Sequence, residues 1–187
     1  ASRLDNTTQN LSKLLDNLLQ WALVQLDRIP FHPQELQLRK ISTEVIHLYE
    51  PLAEAKNIAV VNDISPELKL TADADAIRTI LRNLINNALK FTATTGKIRL
   101  TAQGTAESTI ITVEDNGQGM NSDQVKQLFG ANALSTTGTG GEKGAGLGLV
   151  LCEELVQLPQ GHIVVQSSPG EGTSFHLHFP HKSTSHA

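Results

Sequence analysis

The sequence predicts an α/β fold: a two-layer sandwich of a mixed β-sheet with helices on one face, preceded by a long N-terminal helix. Strand-like and helix-like stretches alternate from residue 36 onward, and several strands are hairpin-linked. One segment, 73–91, repeats its apolar residues at helical spacing with unusual regularity. At 187 residues, 39% hydrophobic and 18% charged, the chain is long and apolar enough to bury the core of one domain with an appended element.

The same composition excludes several classes of function. The formal net charge is -4 and no lysine- or arginine-rich block occurs, so neither nucleic acid nor an anionic membrane is the expected partner. Aromatic residues make up 4%, too few for a platform that stacks single-stranded bases. A single cysteine, Cys152, rules out an internal disulfide and a cysteine-based zinc cluster. No apolar run approaches the ~20 residues that span a bilayer, and the N-terminus lacks a signal-peptide core, so the expectation is a cytoplasmic piece of protein.

In chain order, Leu4, Leu11, Leu15, Leu18, Ala22, Leu26 and Ile29 form one helical seam that runs to Pro30. Such a seam ahead of the globular part suits helix pairing, and also a helix docked on its own domain. Pro30 and Pro33 read residues 30–35 as a linker, and 36–180 as the domain proper. Within it, ELQLR reads as a short strand, Ile41 to Ala55 as a helix, and IAVVND and KLTA as strands. After the helix at 73–91, KIRLTAQ and STIITVED form a hairpin, and Asn121-Ser122-Asp123 caps a short helix reaching Phe129. The Gly, Ser and Thr run from 131 to 146 is a long loop of the kind that serves function or stays disordered. A helix from Gly146 to Leu158 and a strand pair around SPGEG complete the domain, and 181–187 is a polar tail.

Three stretches carry chemistry. In the 73–91 helix, Asn83, Asn87 and Lys90 lie within about 60° of one another beside the core-facing stripe. Two amides and an ammonium so placed can meet a metal and phosphates together, although a solvated face would look the same. Asparagine is a poor helix former, so Asn83, Asn86 and Asn87 are costly for structure alone. DNGQGM follows a strand, so Asp115 offers a carboxylate to an exocyclic amine while Gly117 and Gly119 let backbone approach a flat ring. Asp-Asn-Gly is equally good turn chemistry. GEKGAGLGLVLC opens a helix on Gly144, Gly146 and Gly148, whose N–H groups suit phosphate or simply a flexible entrance. It is neither a Walker A loop, lacking Gly-Lys-Ser/Thr, nor a Rossmann fingerprint, because Leu149 replaces the third glycine. His176, His178 and His181 cluster near the final strand, but no carboxylate or cysteine completes a zinc site there.

Taken in order, NLINNALKFT, DNGQGM, LFG, GEKGAGLGL and GEGTSF resemble the N, first-glycine, F, second-glycine and third-glycine boxes of sensor histidine kinase catalytic domains. The resemblance spans 31–180 and implies the Bergerat, or GHKL, ATP-binding fold shared with DNA gyrase, a heat-shock chaperone and mismatch-repair ATPases. It implies ATP and Mg²⁺ as ligands, with Asn87 on the metal, Asn83 as the upstream amide and Lys90 reaching phosphate. Asp115 would read the adenine amino group, Gly117 and Gly119 would give the ring room, and Thr173 would lie near the base. Residues 130–143 would form a lid over the nucleotide, with Phe129 as its F-box residue and Lys143, Gly144, Gly146, Leu147 and Gly148 at its phosphate-facing hinge. The F box is reduced to Phe129, its usual second aromatic being replaced within GANALST.

Residues 1–29 resemble the second helix of the family's dimerisation and histidine-phosphotransfer hairpin. The implied partners are that hairpin, a response regulator, and a second copy in a full-length homodimer, with membrane anchoring of the parent left open. None of the seven histidines is followed by Glu or Asp, as the family's acceptor usually is. The expectation is therefore a kinase domain that binds Mg-ATP, does not phosphorylate itself, and donates in trans. A nucleotide-holding regulatory module, a gyrase- or chaperone-like ATPase, and a serine kinase acting on an anti-sigma partner remain the alternatives.

Overall fold

The computed structural model describes residues 31–129, 139 and 147–181. The N-terminal seam, most of the 130–146 loop and the end of the tail lie outside the described residues.

The chain enters as strand β1 (Gln34–Gln37) and passes directly into helix α1 (Leu38–Ala55), followed by β2 (Ala59–Asn62) and β3 (Lys69–Ala72). β1 starts inside the stretch read as a linker. It pairs antiparallel with β3, Leu36 opposite Leu70, and His32 N–H already donates to Asp73 Oδ2 at 2.9 Å. A proline beside an edge strand costs no ladder hydrogen bond, so Pro33 flanks the strand without preventing it. Helix α1 also begins earlier than its apolar spacing suggests. Its N-cap, Gln37, makes no side-chain cap bond, so no capping signal marks the start. The first turn is held from outside: Arg39 Nη1 donates to Ile64 O at 2.6 Å, and Asn62 Nδ2 reaches Ser42 Oγ and Thr43 Oγ1 at 2.9 Å each.

Helix α2 (Ala74–Phe91) follows the sequence expectation closely. Asp73 Oδ1 accepts from the N–H groups of Asp75 and Ala76, both at 2.9 Å, which caps the helix. Ile77, Ile80, Leu81, Leu84, Ile85, Ala88 and Leu89 form its buried face. Strands β4 (Lys97–Gly104) and β5 (Ser108–Asp115) make the expected hairpin. The short helix α3 (Ser122–Gln127) starts on a capping box between Asn121 and Gln124. Helix α4 (Leu147–Gln157) and strands β6 (His162–Ser168) and β7 (Gly172–Pro180) close the chain.

The main sheet runs β2-β4-β5-β7-β6, with only β2–β4 parallel. It is the mixed sheet the sequence predicts. Alternation along β5 and β7 turns Ile111 and Val113, and Phe175, Leu177 and Phe179, towards the helices. Leu151, Cys152, Leu155 and Val156 of α4 complete the single core on that side. Among the described residues, no helix is long and apolar enough to cross a membrane.

Candidate functional site

One end of this sandwich collects the polar residues that the core leaves out. Asp115 closes β5 on the buried face, in register with Thr173 of β7 and only 7% exposed. Its Oδ1 accepts the Gly117 N–H at 2.8 Å, and the Thr173 N–H also donates to the carboxylate. Burial dominates those two bonds and pushes the carboxyl up to about 6, with Glu114 adding in the same direction. At neutral pH this carboxyl is ionised and nearly buried, so a hydrogen-bond donor placed beside it would offset part of its desolvation.

The turn after Asp115 is packed backbone against backbone. A Cβ on Gly117 would stand 2.4 Å from Phe91 O, the last residue of α2, and one on Gly172 would stand 1.9 Å from Asp115 O. Gly119 adopts φ +63° and its added Cβ would meet Ser168 O at 1.8 Å. Only glycine fits these contacts. The Gln118 N–H donates to Phe91 O at 3.1 Å, so the DNGQGM turn is tied to the C-terminal end of the asparagine-bearing helix.

On that helix Asn83 and Asn87 are half-buried at the edge of the apolar stripe. Asn83 Nδ2 donates to Thr79 O at 2.9 Å, which satisfies the amide within the helix and leaves Oδ1 facing α4. A Cβ on Gly148 would lie 2.4 Å from that oxygen, so the first turn of α4 approaches α2 closely only because residue 148 is glycine. Lys90 is 8% exposed and its Nζ lies 4.5 Å from the Phe91 ring centroid, a cation–π contact. Thr139, between the F-box residue and the glycine-rich hinge, docks on the same helix end. Its N–H donates to Lys90 O at 2.9 Å, and its hydroxyl lies 3.0 Å from Thr92 O and 3.2 Å from Lys56 Nζ. Lys56 also donates to Leu89 O at 2.7 Å, meeting a carbonyl the helix terminus leaves open.

Asp115, Gly117, Gly119 and Thr173 thus gather around one sheet end, with Lys90 and Phe91 beside them through the Phe91 carbonyl. Asn83 and Gly148 meet at the α2–α4 crossing. Phe129 packs against the core just after α3. Leu147 opens α4, while Lys143, Gly144 and Gly146 lie outside the described residues. Cys152 is fully buried with its thiol pushed up by desolvation, as expected of a core residue. His176 bonds Thr112 Oγ1 at 3.0 Å and the His162 and His178 rings stack, and no metal-holding group of three ligands occurs among the described residues.

Sequence reasoning missed Ser167 and Lys56, and took Gly172 only as part of GEGTSF. Ser167 had a signal: in HIVVQSS it shares the inward face with Ile163 and Val165, a polar residue where an apolar one is expected. Lys56 had none, because the Leu89 carbonyl and the Thr139 hydroxyl that it meets lie far along the chain.

Residues 72–183 match the family described as histidine kinase-, DNA gyrase B-, and HSP90-like ATPase. The chain is 30% identical over 185 residues to the sensor histidine kinase RcsC of Escherichia coli, covering 96% of this chain and 19% of that protein. Over 175 residues it is 33% identical to the adaptive-response sensory kinase SasA of Thermosynechococcus vestitus, covering 92% of this chain and 46% of that one. Full-length ShkA, solved in complex with AMPPNP, superposes with TM-score 0.80 at 26% identity, over 96% of this chain and 37% of its own. The chain therefore spans less than half the length of each of these relatives. With a matching model that runs from β3 through β7 and takes in the Asp115 turn and both asparagines, the chain belongs to the histidine kinase-, DNA gyrase B- and HSP90-like ATPase family.

Proposed function

We propose that the chain is the ATP-binding catalytic domain of a sensor histidine kinase, which passes the γ-phosphoryl group of Mg-ATP to a histidine supplied by a dimerisation hairpin. The observation that carries this is Asp115: a nearly buried carboxyl at a strand end, held by two backbone N–H groups and walled by glycines with no room for a Cβ. A fixed acceptor at the end of a turn packed backbone against backbone suits the amino edge of adenine. Asn87, one turn before Lys90 on α2, is the residue that would hold Mg²⁺, which supplies charge neutralisation for the phosphates. Asn83 and Lys90 flank it, and Gly148 in the first turn of α4 packs against Asn83 of the same helix.

Phosphoryl transfer needs positioned charge more than covalent help from protein groups, and Asn87, Asn83 and Lys90 are residues of that kind. The bond from γ-phosphorus to the β–γ bridging oxygen breaks as a bond to an imidazole nitrogen forms, and ADP leaves. Asn83 stands where a water-activating glutamate would be needed in a hydrolysing relative, and an amide cannot take a proton at neutral pH. Hydrolysis by the chain alone is accordingly negligible. A response regulator receives the phosphoryl group downstream, and the full-length protein works as a homodimer with this domain in the cytoplasm.

Isothermal titration of Mg-ATP into the chain and its Asn87→Ala variant tests the assignment. The wild type binds, and the variant keeps its fold but loses the magnesium-dependent part of the affinity. Unchanged Mg-ATP affinity in the variant removes Asn87 from the metal site.

A further inference from the structure

At the base end of the site, Asp115, Thr173 and Ser167 stand side by side across β5, β7 and β6, since Thr173 is in register with both of the others. Cross-strand neighbours share a face of the sheet, so the three form one polar row. The Ser167 hydroxyl sits at a crowded point. Its Oγ lies 2.8 Å from Gly172 O, 2.8 Å from Met120 N and 2.9 Å from Thr173 Oγ1.

Counting protons settles the direction of each bond. A carbonyl oxygen has none to give, so the single Ser167 proton goes to Gly172 O. The Met120 N–H occupies one lone pair of Ser167 Oγ. The contact with Thr173 then holds only if Thr173 donates, because Ser167 has no second proton. The Thr173 hydroxyl proton is thereby committed towards β6, and the lone pairs of Oγ1 are what it offers to anything bound beside Asp115. The ionised Asp115 carboxyl also only accepts.

We infer that Ser167 is a positioning residue that fixes Thr173 as a hydrogen-bond acceptor, so that Thr173 and Asp115 together select a base bearing an amino group and reject one bearing a carbonyl oxygen at that position. The inference rests on the nucleotide reading above and adds its selectivity: adenine offers two amino hydrogens, whereas hypoxanthine and guanine present an oxygen that would face two acceptors. A site built around fixed polarity rejects the wrong partner because groups are left facing like groups.

The test is the ratio of Mg-ATP to Mg-ITP affinity, measured for the chain and for Ser167→Ala, Ser167→Thr, Thr173→Val and the Ser167→Ala/Thr173→Val double variant. The wild type favours ATP. In Ser167→Ala the Thr173 hydroxyl is free to turn and donate, and the ratio shrinks about tenfold, the worth of one hydrogen bond whose polarity reverses. Ser167→Thr keeps the hydroxyl and restores the ratio. Thr173→Val, which leaves the Ser167 bonds to Gly172 and Met120 in place, also shrinks the ratio, and adding Ser167→Ala changes it no further. An unchanged ratio in Ser167→Ala, whether or not both affinities fall together, or an unchanged ratio in Thr173→Val, overturns the inference while leaving the nucleotide reading standing. A wild-type chain that binds neither triphosphate overturns the nucleotide reading and this inference with it.

Discussion

At Asp115 the proposed binding role and folding make opposite demands. Its carboxyl ionises near 6 in the fold against an ordinary 3.8, because burial outweighs the Gly117 and Thr173 N–H groups. A raised folded value means that the native state holds the proton more tightly than the unfolded chain. The group's favourable contribution is thus complete below pH 3.8 and lost as pH rises through about 6. At pH 7 the ionised carboxyl costs the fold on the order of 2–3 kcal/mol. Asp115→Asn should therefore melt higher than the wild type at pH 7, with the gap closing towards pH 4, while losing ATP affinity at every pH. In the wild type, ATP affinity falls as pH drops below 6. A variant that melts lower at pH 7 would show that the carboxylate is structural. Thr95 is a second strained residue: it is exposed and β-branched at φ 67°, in the turn before β4. Thr95→Gly should stabilise the chain by about 1 kcal/mol in urea denaturation, with no change in nucleotide affinity.

Helix α2 is both the best-read element in the sequence and the one that carries the site. Its cap, apolar face and asparagines were all legible because each follows from local spacing. The Asp73 carboxylate is pushed up by partial burial, but the N–H groups of Ala76, His32 and Asp75 outweigh that and hold it below the usual range. Its stabilising effect is present above pH 3.8 and is lost as pH falls through its lowered folded value. Asp73→Ala should cost about 1 kcal/mol at pH 7, and the difference from wild type should vanish in the acid range below ordinary carboxylate values. A constant difference across pH would assign the loss to packing instead. The start of α1 was not legible, since Gln37 gives no capping signal and the holding bonds come from Ile64 and Asn62. Contacts of that kind, from a side chain to a backbone or side-chain group distant in sequence, leave no periodicity to read.

At the scale of the molecule, the layer order and the mixed sheet followed from alternation and hairpin spacing. The split of β1 and β3 into a separate two-stranded sheet did not, because pairing partners are set in three dimensions. Asp115, Gly117, Gly119 and Thr173 were each assigned to a candidate site by motif, and the structure brings them together at one sheet end. What the motifs could not give is the Ser167 proton order, which exists only once β6 lies beside β7. The central claim, a catalytic domain that lacks its own acceptor and donates in trans, is tested most directly with γ-labelled ATP and Mg²⁺. The chain is incubated alone and with a separate dimerisation hairpin whose histidine is followed by a carboxylate, and the label is then challenged with acid. Acid-labile label on the hairpin and none on the chain alone is the predicted result. Stoichiometric acid-labile label on the chain by itself, or none on the hairpin from a chain shown to bind Mg-ATP, would contradict it.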